Sequence, residues 1–182
     1  MLNIMSIKKA KAANAGAPPT SKTSAAQIRL QKDLADMDHL PSTMALAFPD
    51  PNDVFHFRLT ITPDEGFYRG GRFHFTFTVP TSYPHEPPRV LCTQTIYHPN
   101  IDLEGKVCLN ILREDWKPVL NINSILVGLQ YLFLEPNADD PLNKEAAAIL
   151  QSSRATFDAN VRKAMRGGAF GGVTYDNVMV HP

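Results

Sequence analysis

Residues 54–79 read VFHFRLTITPDEGFYRGGRFHFTFTV, and their period decides the architecture. Phe55, Phe57, Leu59 and Ile61 alternate with His56, Arg58 and Thr60; Phe73, Phe75, Phe77 and Val79 alternate with His74, Thr76 and Thr78. Side chains along a strand point to opposite faces, so two-residue alternation predicts strands with one buried face. The link 62–71 is a turn, which makes the pair antiparallel. Outward from it, Thr43–Phe48 is a short strand and Arg89–Ile96 a fourth, giving a four-stranded meander. Upstream, Ser24-Ala25-Ala26-Gln27 fits a capping box. The helix behind it carries Ile28, Leu34, Ala35 and Met37 as its stripe and ends by Pro41. Downstream, Ile122, Ile125, Leu126, Leu129, Leu132 and Phe133 recur at helical spacing before Pro136. Asp140-Pro141 reads as a cap with proline at the first helical position, opening a helix to about Gln151. Ser153 opens another, with Phe157, Val161 and Met165 as its stripe and Gly167-Gly168 as its stop. Helix, sheet, loop, helices is an α+β order.

The 182 residues amount to one domain of ordinary size. Eighteen Lys and Arg balance eighteen Asp and Glu, which argues against nucleic acid or an anionic membrane as a partner. The longest mostly apolar run, 122–134, falls short of the ~20 residues of a membrane span. Two cysteines, Cys92 and Cys108, make no disulfide framework and fit a reducing compartment. The balance hides an asymmetry: residues 1–24 hold Lys8, Lys9, Lys11 and Lys22 with no acid, and residues 25–182 carry the compensating −4. Residues 12–21 lack large apolar side chains and are expected to stay disordered. Met1, Leu2, Ile4, Met5 and Ile7 form an apolar cluster at the tip. The lysines follow it, the reverse of a signal peptide; a mitochondrial presequence competes but would want arginine. The division expected is an arm, 1–24, with a docking motif at 1–7, then a core, 25–182, ending in a tail from 169.

Between residues 80 and 121 prolines punctuate a long loop, and such loops carry function. It holds Tyr83-Pro84-His85-Glu86-Pro87-Pro88, then His98-Pro99-Asn100, and seven residues later Cys108-Leu109. A thiolate is both a good nucleophile and a good leaving group, so a cysteine can accept an activated acyl group and pass it on. This combination resembles the ubiquitin-conjugating enzyme family over about Ser24 to Gly168. The basic arm, the 63–68 and 112–116 segments and Phe133-Leu134-Glu135-Pro136 resemble the branch that conjugates the Nedd-type (Rub-type) ubiquitin-like modifier.

The resemblance implies the ubiquitin-conjugating fold and an acyltransferase. Cys108 would carry the modifier as a thioester and deliver it to a substrate lysine, chiefly on cullins. It assigns the oxyanion donor to the Asn100 amide, gives His98 and Pro99 structural roles, and sets Asp140 at the acid position near the incoming lysine. Asp140 as a helix cap alone remains an alternative, compatible with that role. A cysteine-protease pairing of His98 with Cys108 matches no spacing expected of one. Cys92 reads as core and Trp116 as packing. Gln27, Arg29, His85, Lys117, Pro118 and Val119 fall at docking positions for ligases and the activating enzyme. Met1, Leu2, Ile4, Met5 and Ile7 would dock the arm, with Met5 where the branch often has an aromatic. Implied partners are the modifier, a heterodimeric activating enzyme, a RING-type ligase, a co-ligase and cullins, in cytoplasm and nucleus. No cofactor or metal is expected, since there is no Cys/His ligand cluster and no Gly-rich phosphate loop. The same chemistry with ubiquitin, or a non-catalytic binding module of the same fold, stand as the alternatives.

Overall fold

A computed structural model describes residues 23–37 and 40–180. The arm's apolar positions Met1, Leu2, Ile4, Met5 and Ile7 lie outside the described residues. Elements run α1 (Ala25–Asp36), β1 (Met44–Ala47), β2 (His56–Ile61), β3 (Phe73–Thr78), β4 (Arg89–Cys92), a 3₁₀ turn (Asn110–Leu112), α2 (Ile122–Leu134), α3 (Lys144–Ser152), α4 (Arg154–Met165), β5 (Ala169–Phe170) and β6 (Val173–Thr174).

Strands β1 to β4 form an antiparallel sheet in chain order. Register pairs Phe57 with Phe77, Leu59 with Phe75 and Ile61 with Phe73. All six side chains are buried. Each is worth roughly 1.5–3 kcal/mol on burial, so a one-residue slip, which would turn one strand's face to water, is excluded by several kcal/mol. The same face receives α2: Phe133 packs on Phe73 with ring centroids 4.5 Å apart. Val79 is buried as the alternation predicts, while Phe55 is only half-buried.

Ser24 caps α1 by accepting the Gln27 amide N–H at 3.1 Å. The stripe of α1 departs from the sequence expectation. Ala26, Leu30, Asp33 and Leu34 face inward, whereas Ile28 is 59 % exposed and Ala35 is exposed. Met37 is buried as expected. Helix α2 matches its predicted limits, and all six predicted positions are buried. The helix expected to start at Asp140-Pro141 starts later. Asn143 is its cap, accepting the Ala146 N–H at 3.0 Å. Ser153 caps α4 through the Thr156 N–H at 3.2 Å, as predicted. The expected tail packs on the body over its described residues, 169–180. Tyr175 and Val178 are buried, and the Arg72 N–H donates to the Val178 carbonyl at 2.7 Å.

Candidate active site

The segment 98–108 folds back on itself. Asp102 Oδ1 accepts the Glu104 and Lys106 N–H groups at 3.0 and 2.8 Å, closing a turn. Gly105 completes it at φ 83°, where a Cβ would lie 2.0 Å from the Cys92 carbonyl oxygen. Only glycine fits that approach. The closed turn returns the chain so that the Cys108 N–H donates to the Asn100 carbonyl at 2.7 Å. Nucleophile and motif are thereby joined through the backbone.

Each residue of the His98-Pro99-Asn100 motif holds a different point of the stretch 132–143. His98 is wholly buried and stacks on Tyr68 with centroids 4.9 Å apart. Its Nδ1 accepts the Asn100 N–H at 2.9 Å, so Nε2 carries the proton and donates to the Leu132 carbonyl at 3.0 Å. Burial, partly offset by the Leu132 carbonyl, pushes the imidazole pKa down to about 4. Both ring nitrogens are occupied, so His98 cannot serve Cys108 as a base and the protease pairing falls. The Pro99 carbonyl accepts from the Leu142 and Asn143 N–H groups at 3.0 and 2.9 Å. The Asn100 amide pairs with the backbone of Asn137: Nδ2 donates to its carbonyl at 2.8 Å and Oδ1 accepts its N–H at 2.9 Å. Asn100 therefore has a structural task beyond the donor role expected of it. Its second N–H is not engaged by that pair.

These contacts place the loop that carries Asp140. Asp140 adopts a left-handed backbone, φ 51°, and its side chain is 88 % exposed. It caps no helix, so the cap-alone alternative falls. Its carbonyl accepts from the Cys108 thiol at 3.3 Å. Cys108 itself is 9 % exposed. It lines an open cleft of about 410 Å³ together with Asn100, Leu132, Asn137, Asp139 and Asp140. The sulfur is thus set into the surface yet reachable, with the predicted amide and carboxylate on the same walls. Burial raises the Cys108 pKa; Arg113 opposes that rise, and Asp140 and Glu114 add to it. Arg113 was not among the predicted site residues. Its Nη2 donates to the Cys108 sulfur at 2.9 Å. Its sequence signals are its place in the 112–116 segment that carries the resemblance and its spacing from Cys108. Cys92 is buried in β4, and desolvation pushes its thiol up to about 11, consistent with core rather than chemistry.

Of the positions expected to dock, those among the described residues lie on α1 and on two adjoining loops. Trp116 donates from Nε1 to the Pro84 carbonyl at 2.8 Å and packs near Tyr83, tying the loop of His85 to the loop of Lys117, Pro118 and Val119. Those four residues are exposed, Val119 at 81 %. Arg29 is consumed internally instead of being presented: its guanidinium donates to Asp33 at 2.8 Å, the Pro118 carbonyl at 2.9 Å and the Leu120 carbonyl at 2.8 Å. Tyr83 donates to the other oxygen of the buried Asp33. Arg29 is the clamp that holds the 118–120 loop against α1, and Gln27, half-buried, lies two residues before it.

The sequence profile described as "Ubiquitin-conjugating enzyme" matches residues 29–165. The chain is 66 % identical over 150 residues to the Nedd8-conjugating enzyme UbcE2M of Drosophila melanogaster, covering 82 % of each chain. It is 56 % identical over 180 residues to the NEDD8-conjugating enzyme UBC12 of Yarrowia lipolytica, covering 99 % of each. Among solved structures it is similar to S. cerevisiae Ubc12, with a TM-score of 0.83, 43 % identity, and coverage of 98 % of this chain and 97 % of that one.

Proposed function

The chain belongs to the ubiquitin-conjugating enzyme family, and from that premise we propose that it is a NEDD8-conjugating enzyme whose acceptor is Cys108. The observation that carries the assignment of the acceptor is the placement of the Cys108 sulfur in an open cleft whose walls include Asn100 and Asp140. Names of the relatives support NEDD8 as the modifier.

In the first half-reaction the Cys108 thiolate attacks the carbonyl carbon of the modifier's C-terminus, held as a thioester by an activating enzyme. A new C–S bond forms, and the activating enzyme's cysteine leaves as a thiolate. In the second, a substrate lysine amine attacks the Cys108 thioester. The C–N bond forms, the C–S bond breaks toward Cys108, and the amine gives up its proton. Both steps pass through an oxyanion. The free N–H of Asn100 is our donor for it, while its other amide atoms hold Asn137; one such donor is worth about 3–4 kcal/mol. The lysine arrives as an ammonium, since its reference pKa is about 10.4. Asp140, exposed at the mouth, orients that ammonium and receives its proton.

The joined loops of His85 and Lys117 to Val119, with α1 beside them, are the surface we assign to the activating enzyme and a RING-type ligase. The arm, through Met1, Leu2, Ile4, Met5 and Ile7, is assigned to a groove of a heterodimeric activating enzyme and to a co-ligase. Cullin lysines are the proposed substrates, met in cytoplasm and nucleus. The test is loading with purified activating enzymes for each modifier. NEDD8 should form a reducing-agent-sensitive adduct on the wild-type chain and a reducing-agent-resistant ester on Cys108→Ser. Loading by the ubiquitin pathway alone would replace NEDD8 with ubiquitin in this reading.

A further inference from the structure

The 3₁₀ turn after Cys108 is closed by backbone bonds: Leu112 N–H to the Leu109 carbonyl at 2.8 Å, and Arg113 and Asp115 N–H to the Asn110 carbonyl at 2.9 and 3.1 Å. It reverses the chain so that Arg113, five residues beyond the nucleophile, lies back over it. Three acceptors compete for this guanidinium: two carboxylates and the Cys108 sulfur, which joins them as an anion only when the thiol ionises. The Cys108 sulfur is 2.9 Å from Nη2. Asp140 Oδ2 is 3.8 Å from the same nitrogen, and Glu114 Oε2 is 3.8 Å from Nε. The two carboxylates are 88 % and 64 % exposed. Ion pairs of that kind are worth little in water. The sulfur is nearer and partly desolvated, where the same charge counts for more. Among the described residues the charged groups around the sulfur are then Arg113 against Asp140 and Glu114, with Asp139 further along the cleft. The His98 imidazole does not serve, because both its nitrogens are taken.

We propose that Arg113 is a catalytic residue of both half-reactions, holding the Cys108 thiolate as nucleophile when the modifier arrives and as leaving group when it departs. The assignment rests on the reading of Cys108 as the thioester carrier. In loading, the thiolate's electron pair makes the bond to the carbonyl carbon, and the guanidinium loses its anion as that pair is consumed. In discharge, the pair of the breaking C–S bond returns to Sγ, beneath the same guanidinium, while the amine's proton passes to Asp140 or water. Each step begins or ends with the same anion, so one cation lowers both barriers. Asp140 works against it at the sulfur.

The test is the pH dependence of iodoacetamide alkylation of Cys108, followed on its peptide by mass spectrometry in the full-length chain. Arg113→Ala should raise the midpoint by about one unit, a tenfold loss of thiolate at pH 7. Each remaining thiolate is about threefold more nucleophilic, so the rate at pH 7 should fall about threefold. Arg113→Lys should restore most of the shift. Asp140→Asn should move the midpoint down. If Arg113→Ala melts early, Arg113→Gln, which keeps an N–H donor and loses the charge, reads the charge alone. An unchanged or lowered midpoint in the folded neutral variant overturns the proposal, and so does a shift of the same sign in Asp140→Asn. Alkylation needs no activating enzyme, so the two readings separate. A shifted midpoint with no loading by NEDD8 overturns the proposed modifier alone. Normal loading with an unshifted midpoint overturns the role of Arg113 alone.

Discussion

His98 spends both ring nitrogens on backbone groups, and its protonation would break one of those bonds. With a folded pKa of about 4 against an ordinary imidazole value of 6.5, the folded chain stays neutral at His98 where the unfolded chain binds a proton. Stability from this group is therefore complete above pH 6.5 and is lost as pH falls toward 4, by about 3 kcal/mol in all. Urea unfolding across that window should show a steep loss in the wild type and a shallower one in His98→Gln; parallel curves would refute the linkage. Asn100 separates along the same lines. Asn100→Asp can still accept the Asn137 N–H but has no donor to offer. It should slow lysine discharge by about 10²–10³-fold and disturb loading far less, as read in single-turnover assays from the preloaded enzyme. Equal loss in both steps would mean that Asn100 serves only the loop.

The second half of the site depends on elements whose boundaries local sequence does not settle. Asp140-Pro141 and Asn143 are both good helix starts by residue type. The competition is decided at Pro99, whose carbonyl takes the Leu142 and Asn143 N–H groups from forty residues away in the chain and fixes where α3 can begin. No local reading sees that. Asn143→Ala should cost about 1 kcal/mol through the lost cap. Asp140→Gly, at φ 51°, should change stability by less than about 0.5 kcal/mol while lowering discharge. Thermal melts of the two variants set against discharge rates check both. The phase of α1 was misread for a related reason: Ile28 is as apolar as Leu30, and only the packing of the fold, in which α1 meets α2, selects Leu30. By contrast, the period-two strands and the apolar ladder of α2 were legible, because burial on one face repeats the pattern many times over. The motif residues were legible by their resemblance, whereas Arg29 as a clamp and Arg113 at the sulfur were not, since solvated and engaged arginines look alike in a sequence. Gly105→Ala should be among the most damaging single-methyl additions, about 3 kcal/mol or more, from a left-handed backbone and a contact of 2.0 Å.

At the scale of the whole molecule, charge divides the chain. Residues 1–22 lie before the Ser24 cap and outside the described residues. Removing them should leave the melting transition of the body in place and weaken loading by the activating enzyme, most of all at low salt, where the four lysines act furthest. A body that unfolds on their removal would show instead that they belong to its core.

The profile shared with relatives stops at residue 165, but the molecule does not. Tyr97, one residue before the motif, meets Phe170 and Tyr175 at centroid distances of 5.3 and 5.9 Å. Val178 meanwhile straps the entry to β3. A protease or a gene designer who trims the chain to its recognisable portion would strip this aromatic lid from the very segment that steers His98, so the smallest piece that still folds faithfully is longer than the smallest piece that can be identified.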